Sequence, residues 1–228
     1  MINELWWLVM LLLNFVLIMA AFRLWGKAGL FIWIPISVII ANIQVTKTVQ
    51  LFSLEATLGN IVYATSFLAT DILSECYTKE DAKRAVTIGF FSMIVMTVMM
   101  NLALQFAPAQ SDFVHESMVT IFAVMPRIAI ASLLAYTAAQ FHDIFAYARI
   151  KEHFPSNSLL WLRNNGSTMI SQLIDSVIFT FVAFYGVFGM SVLWEILLTT
   201  YVLKVVVAMA DTPFIYLAKK WHSRNIIP

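Results

Sequence analysis

Long apolar runs recur along the whole chain, separated by short polar stretches. Crossing roughly 30 Å of hydrocarbon at 1.5 Å per residue takes about 20 mostly apolar residues. Seven segments meet that requirement: 5–24, 30–49, 57–77, 85–106, 118–148, 168–188 and 192–217. The pattern predicts an all-α fold, a polytopic helical membrane protein with about seven transmembrane helices. Short connections make sequential helices neighbours. No Ser- or Gly-rich linker and no low-complexity tract interrupts them, so 1–228 reads as a single membrane domain. Segment 118–148 is longer than a straight span requires, and Pro126 inside it predicts a kink or break. Pro35 and Pro213 invite the same comment more weakly.

The leading stretch 1–7 carries Glu4 and no Lys or Arg, and the apolar run behind it is too long for a secretory signal. It reads as a retained helix. Orientation follows from the basic residues, because Lys and Arg beside spans are held on the cytoplasmic side. Arg23 and Lys27 follow the first segment; Lys79, Lys83 and Arg84 the third; Arg149, Lys151 and Arg163 the fifth; Lys219, Lys220 and Arg224 the seventh. These are eleven of the fourteen basic residues. The connection after the second segment holds only Lys47, and those after the fourth and sixth hold none. The amino terminus is therefore expected outside, the carboxyl terminus in the cytoplasm, and the number of crossings odd.

Composition agrees with this reading. Hydrophobic residues make up 61% and charged residues 12% of the 228, about half the charge of a soluble globule. A net charge of +1 with no basic patch outside the membrane makes nucleic-acid binding improbable. Cys76 is the only cysteine, so neither an internal disulfide nor a cysteine-based metal cluster can form.

Function must then be read from ionisable and amide groups at membrane depth, each costly there unless it is paired or lines a wet cavity. The candidates are Asp71, Arg127, Gln140, Asp143, Gln172, Asp175, Lys204 and Asp211. Counting along each span puts Asp71, Gln140, Asp143, Gln172 and Asp175 in the cytoplasmic half, with Lys204 nearer the middle. Gln172 and Asp175 are three apart, as are Gln140 and Asp143, so each pair shares a helix face, and so do Lys204 and Asp211, seven apart. Interhelical pairs such as Lys204 with Asp175, or Arg127 with a neighbouring carboxylate, would explain any one of them at about even odds. Hydrogen bonds between membrane helices contribute only about 1 kcal/mol or less each, so a shared polar cavity explains the whole set more economically.

Enzyme signatures are largely absent: there is no H-E-x-x-H, no G-x-S-x-G and no phosphate-cradling glycine loop. His142 and Asp143 are adjacent on a helix, so they point about 100° apart and cannot readily share one proton. The chain is expected not to be an enzyme. The Met- and Phe-rich stripes read as packing or lipid-facing surface.

Four strings carry a resemblance. Residues 70–82 read T-D-I-L-S-E-C-Y-T-K-E-D-A, and 127–143 are built as R-x-x-x-x-S-x-x-x-Y-x-x-x-Q-x-x-D. Residues 161–179 read W-L-R-N-N-G-S-T-M-I-S-Q-L-I-D-S-V-I-F, and 204–216 read K-V-V-V-A-M-A-D-T-P-F-I-Y. Together they resemble the queuosine precursor transporter family, also called the vitamin uptake transporter or YhhQ-like family. The resemblance covers about 28–220 as the family core and leaves 1–27 as an additional amino-terminal helix. Thr78 stands where the family usually has a glycine, which puts the geometry of that loop in question.

The resemblance implies uptake of 7-cyano-7-deazaguanine or 7-aminomethyl-7-deazaguanine, precursors of the tRNA nucleoside queuosine, across the bacterial inner membrane by a secondary transporter or facilitator. Implied partners are the small base and the lipid bilayer, with a homo-oligomer compatible; no cofactor and no metal is implied. On this reading Asp175 takes the donor edge of the base, Gln172 and Gln140 satisfy its carbonyl and remaining edge, and Tyr136 or Tyr201 stack on its plane. Asp71, Arg127, Lys204, Asp143 and Asp211 would be charge partners or gate elements. Alternatives are a substrate-binding membrane subunit of an ATP-driven vitamin uptake complex, a transporter of another small heterocycle, and a sensor or scaffold that binds without translocating.

Overall fold

A computed structural model describes the backbone of residues 2–153 and 160–227, and the side chains of these except 140, 143–144, 147–148, 151–152 and 160–168. The elements run α1 (Ile2–Gln44), β1 (Thr48–Leu51), β2 (Leu54–Thr57), α2 (Asn60–Cys76), α3 (Lys79–Ala103), α4 (His115–Phe122), α5 (Met125–His153), α6 (Leu160–Phe184) and α7 (Met190–Ser223). Among the described residues, four stretches are long and apolar enough to cross a membrane: α1, α3, residues 115–139 and α7.

A straight α1 of 43 residues would be about 65 Å long. It is not straight. Gly26 breaks it with φ 54° and ψ −133°, a conformation that side chains other than glycine's resist. The chain folds back there, since Asn3 Nδ2 donates to Gln50 O at 2.9 Å and the Phe52 amide donates to Glu4 Oε1 at 3.0 Å. The two arms match the first two predicted segments. The first arm buries Trp7, Leu11, Phe15, Ile18 and Phe22 while Leu5, Trp6, Leu12, Leu13 and Val16 stay exposed. A helix apolar on both its packed and its outward faces is built to meet lipid.

Between the second arm and α2 the chain forms an antiparallel hairpin, Thr48 opposite Thr57 and Leu51 opposite Leu54. The hairpin is a small addition to an otherwise helical fold, and it shortens segment 30–49, whose last residues leave the helix. The physical reason is local. Phe52 and Ser53 both adopt positive φ, 53° and 68°, which is the two-residue turn that suits the twist of a hairpin. Glu195 of α7 accepts from the Glu55 amide at 2.9 Å and Thr199 Oγ1 donates to Glu55 O at 3.0 Å, so the hairpin is tied to α7 as well as to the start of α1.

The opposite end is tied by charge. Lys27 pairs with Asp81 at 2.6 Å, Lys219 pairs with Glu75, and Arg23 donates to the carbonyl of Ile226. Thr78 begins α3: its Oγ1 accepts from the Asp81 amide at 3.1 Å. The departure from the family's glycine is thus a helix cap, in a role that threonine fills well.

In 118–148 the helix does break. It stops at Phe122 and resumes at Met125, so Pro126 sits in the first turn of α5, where its missing N–H removes no helical bond. Pro35 and Pro213 lie inside continuous helices. One buried cluster joins the first arm of α1, α2 and α7; a second joins Val45 with residues of α4, α5, α6 and α7.

Candidate functional site

One cavity among the described residues is lined from α1, α2, α5, α6 and α7. Ala41, Asn42 and Val45 come from the second arm of α1, Gly59, Asn60 and Tyr63 from the start of α2, Ser132 from α5, Asp175 and Phe179 from α6, and Lys204 from α7. Close backbone approach builds its floor: a Cβ added to Gly59 would lie 2.2 Å from Ala41 O, so only glycine lets α2 begin there. Val45 and Gly59 flank the hairpin, which places this cavity toward the hairpin end of the bundle. Its free space is about 30 Å³, room for two or three waters at about 10–15 Å³ each.

Asp175 and Lys204 form an ion pair on the cavity wall, and both side chains are almost wholly buried. The Lys204 ammonium also lies over the Tyr63 ring, 5.2 Å from its centroid. A buried pair of this kind is costly to desolvate, and its attraction compensates only where geometry and further hydrogen bonds are good. Asn60 Nδ2 bonds Thr57 O at 3.1 Å, Thr57 Oγ1 at 2.9 Å and Thr200 Oγ1 at 2.8 Å, which binds the mouth of α2 to α7. The wall therefore presents a carboxylate, an ammonium, two amides, two hydroxyls and two aromatic faces.

Of the residues singled out from sequence, the structure brings Asp175 and Lys204 together. Gln172 lies one turn before Asp175 on α6, off the cavity wall, and its Oε1 is buried with no hydrogen-bond partner. Tyr136 packs edge-on against Phe90 of α3, 4.8 Å between centroids, and neither it nor Tyr201 lines the cavity; the lining tyrosine is Tyr63. The side chains of Gln140 and Asp143 lie outside the described residues.

Asp71, Asp211 and Arg127 do not line this cavity. Asp71 on α2 and Asp211 on α7 lie eight and seven residues beyond Tyr63 and Lys204, about 11 Å farther along the same helices. Arg127 pairs with no carboxylate among the described residues. Its Nε donates to Val182 O at 2.7 Å and its guanidinium nitrogen Nη2 to Tyr185 O at 2.6 Å, at the carboxyl end of α6. That is where unpaired helix carbonyls and the negative end of the helix dipole attract a cation.

Sequence reasoning missed Asn42, Asn60, Tyr63, Ser132 and Phe179. The two asparagines are amides at the edges of apolar segments and could have been found as such. Ser132 and Phe179 stand within the strings that carry the family resemblance, and Tyr63 is an ordinary residue in such a helix with no signal of its own.

A family model described as "Putative vitamin uptake transporter" matches residues 57–218. The chain is 44% identical over 220 residues to a Bacillus subtilis protein named "Probable queuosine precursor transporter", 96% of each chain being covered. It is 25% identical over 134 residues to a Haemophilus influenzae protein of the same name, covering 59% of this chain and 54% of that one. A match at 24% identity over 172 residues, 74% of this chain and 75% of the other, is to the "Queuosine precursor transporter" of Escherichia coli. No solved structure matches the chain.

Proposed function

Because the chain belongs to the queuosine precursor transporter family, also described as the vitamin uptake transporter family, and is a helical multi-pass membrane transporter, we propose that it imports 7-deazaguanine precursors of queuosine. Its cargo is 7-cyano-7-deazaguanine, 7-aminomethyl-7-deazaguanine or both, carried across the bacterial inner membrane by one membrane domain spanning 1–228. The two arms of α1, then α2, α3, α4 with α5, α6 and α7 make seven crossings, with the hairpin outside and the carboxyl terminus in the cytoplasm. The distribution of Lys and Arg supports that orientation.

The observation that carries the reading is the buried Asp175–Lys204 pair on the cavity wall. A guanine-like ring holds a lactam, whose N–H and C=O stand side by side, next to a second N–H donor. A carboxylate and an ammonium side by side are the complement of that edge: Asp175 accepts the N–H groups and Lys204 donates to the carbonyl. Charge that the two side chains now neutralise in each other is then neutralised partly through the ligand. Tyr63 and Phe179 supply aromatic faces for the ring plane. Gln172 Oε1, an unsatisfied acceptor one turn away, gains a donor once the cavity widens around the base. Widening is required, since the present space holds water and not a bicyclic base.

The test is queuosine in tRNA from a bacterium that can neither synthesise nor import the precursor bases, with this chain expressed and each base supplied at low concentration. Restored queuosine supports transport by the chain alone and ranks the two bases. No restoration from a correctly inserted chain overturns independent uptake, and ligand binding to the purified protein then separates a missing subunit from a different cargo.

A further inference from the structure

The orientation of the Asn60 side-chain amide on the cavity wall is determined by its contacts. A main-chain carbonyl can only accept, so the contact with Thr57 O identifies the nitrogen, Nδ2, as the atom facing Thr57 and Thr200. Three acceptors surround that nitrogen and its two hydrogens are used within the protein. Nothing remains for Asn60 to donate. Its Oδ1 receives no hydrogen bond among the described residues, and the residue lines the cavity. On the facing helix Asn42 Nδ2 donates to Val38 O at 2.7 Å, which fixes that amide's orientation as well.

We infer that Asn60 is a recognition residue of this cavity, a pre-oriented carbonyl acceptor that reads one N–H donor of the ligand, with Asn42 as a second acceptor from the facing helix. The inference rests on the uptake reading and deepens it, because it names the class of ligand admitted: a planar heterocycle with N–H donors on more than one edge. Asp175 serves one edge and the asparagines serve another. A ring alkylated or glycosylated at the nitrogen that Asn60 reads leaves a buried carbonyl unpaired and is refused. An acceptor already held in place loses no rotamer freedom on binding, so its preference for N–H over N–CH₃ is expressed nearly in full.

The experiment measures binding of 7-cyano-7-deazaguanine and its three singly N-methylated derivatives, at N1, the exocyclic nitrogen and N9, to the purified full chain and to Asn60→Leu. Wild type is expected to disfavour each methylated base. For one of them the penalty, about tenfold or more in Kd, is expected to shrink to near unity in Asn60→Leu, where methyl meets a methyl-bearing side chain. Penalties that are the same in both proteins overturn the role of Asn60 and leave the uptake reading standing. A wild type that does not bind the parent base removes the uptake reading itself, and this inference with it. Should Asn60→Leu not be recovered folded, Asn60→Ser withdraws the carbonyl while keeping a small polar group, and the same comparison of penalties decides.

Discussion

Asp175 on α6 and Lys204 on α7 are paired in the interior, with side-chain exposures of 6% and 4%. Removing one partner strands a buried charge, whereas removing both leaves none. Asp175→Asn and Lys204→Met are each expected to lower stability by about 3–5 kcal/mol, while Asp175→Leu combined with Lys204→Met recovers most of the loss. Uptake is absent from all three. Thermal unfolding in detergent alongside uptake of radiolabelled base checks this, and a double variant that transports would show that the pair only holds helices together.

Arg127 has a different role. Its guanidinium serves the carbonyls of Val182 and Tyr185 at the end of α6. Arg127→Gln is expected to cost about 1.5–3 kcal/mol of stability, the range for hydrogen bonds to a charged group, and to leave the Kd for the base unchanged. A large change in Kd without loss of stability would return this residue to the binding machinery.

Gly26 turns α1 back on itself with φ 54°. Gly26→Ala forces a side chain into that conformation at about 1–3 kcal/mol, and the expected result is lower yield of folded protein and lower thermal stability. An alanine variant with wild-type stability would mean that the two arms can be joined by another turn.

Orientation can be read with cysteine labelling in a Cys76→Ser background. A cysteine at Ser53, at the tip of the hairpin, is expected to react in intact cells with a membrane-impermeant maleimide. A cysteine at Ser223, at the end of α7, should react only after the membrane is opened. The reverse pattern would invert the proposed topology.

Much of the scaffold was legible because burial in lipid imposes a length on every crossing and leaves long apolar runs in the sequence. The approximate places of the helices, the break near Pro126 and the pairing of Lys204 with Asp175 among the possibilities followed from such runs and from the rarity of charge within them. The hairpin was not legible: Thr48 and Val49 continue an apolar segment, and the left-handed turn at Phe52 and Ser53 has neither glycine nor asparagine to announce it.

Sequence by itself determined which residues are out of place in a membrane, and thereby that this is a polytopic helical protein with a polar interior. Only the tertiary structure decided how those residues are grouped, because periodicity along one helix says nothing of which neighbour its polar face meets. Packing of α6 against α7 joined Asp175 to Lys204, and the crossing of α1 and α2 at Gly59 brought Asn42, Asn60 and Tyr63 beside them. The same packing carried Asp71 and Asp211 two turns away and set Arg127 at a helix end. The site is a property of contacts between distant segments, and those are fixed by helix crossing and close backbone approach.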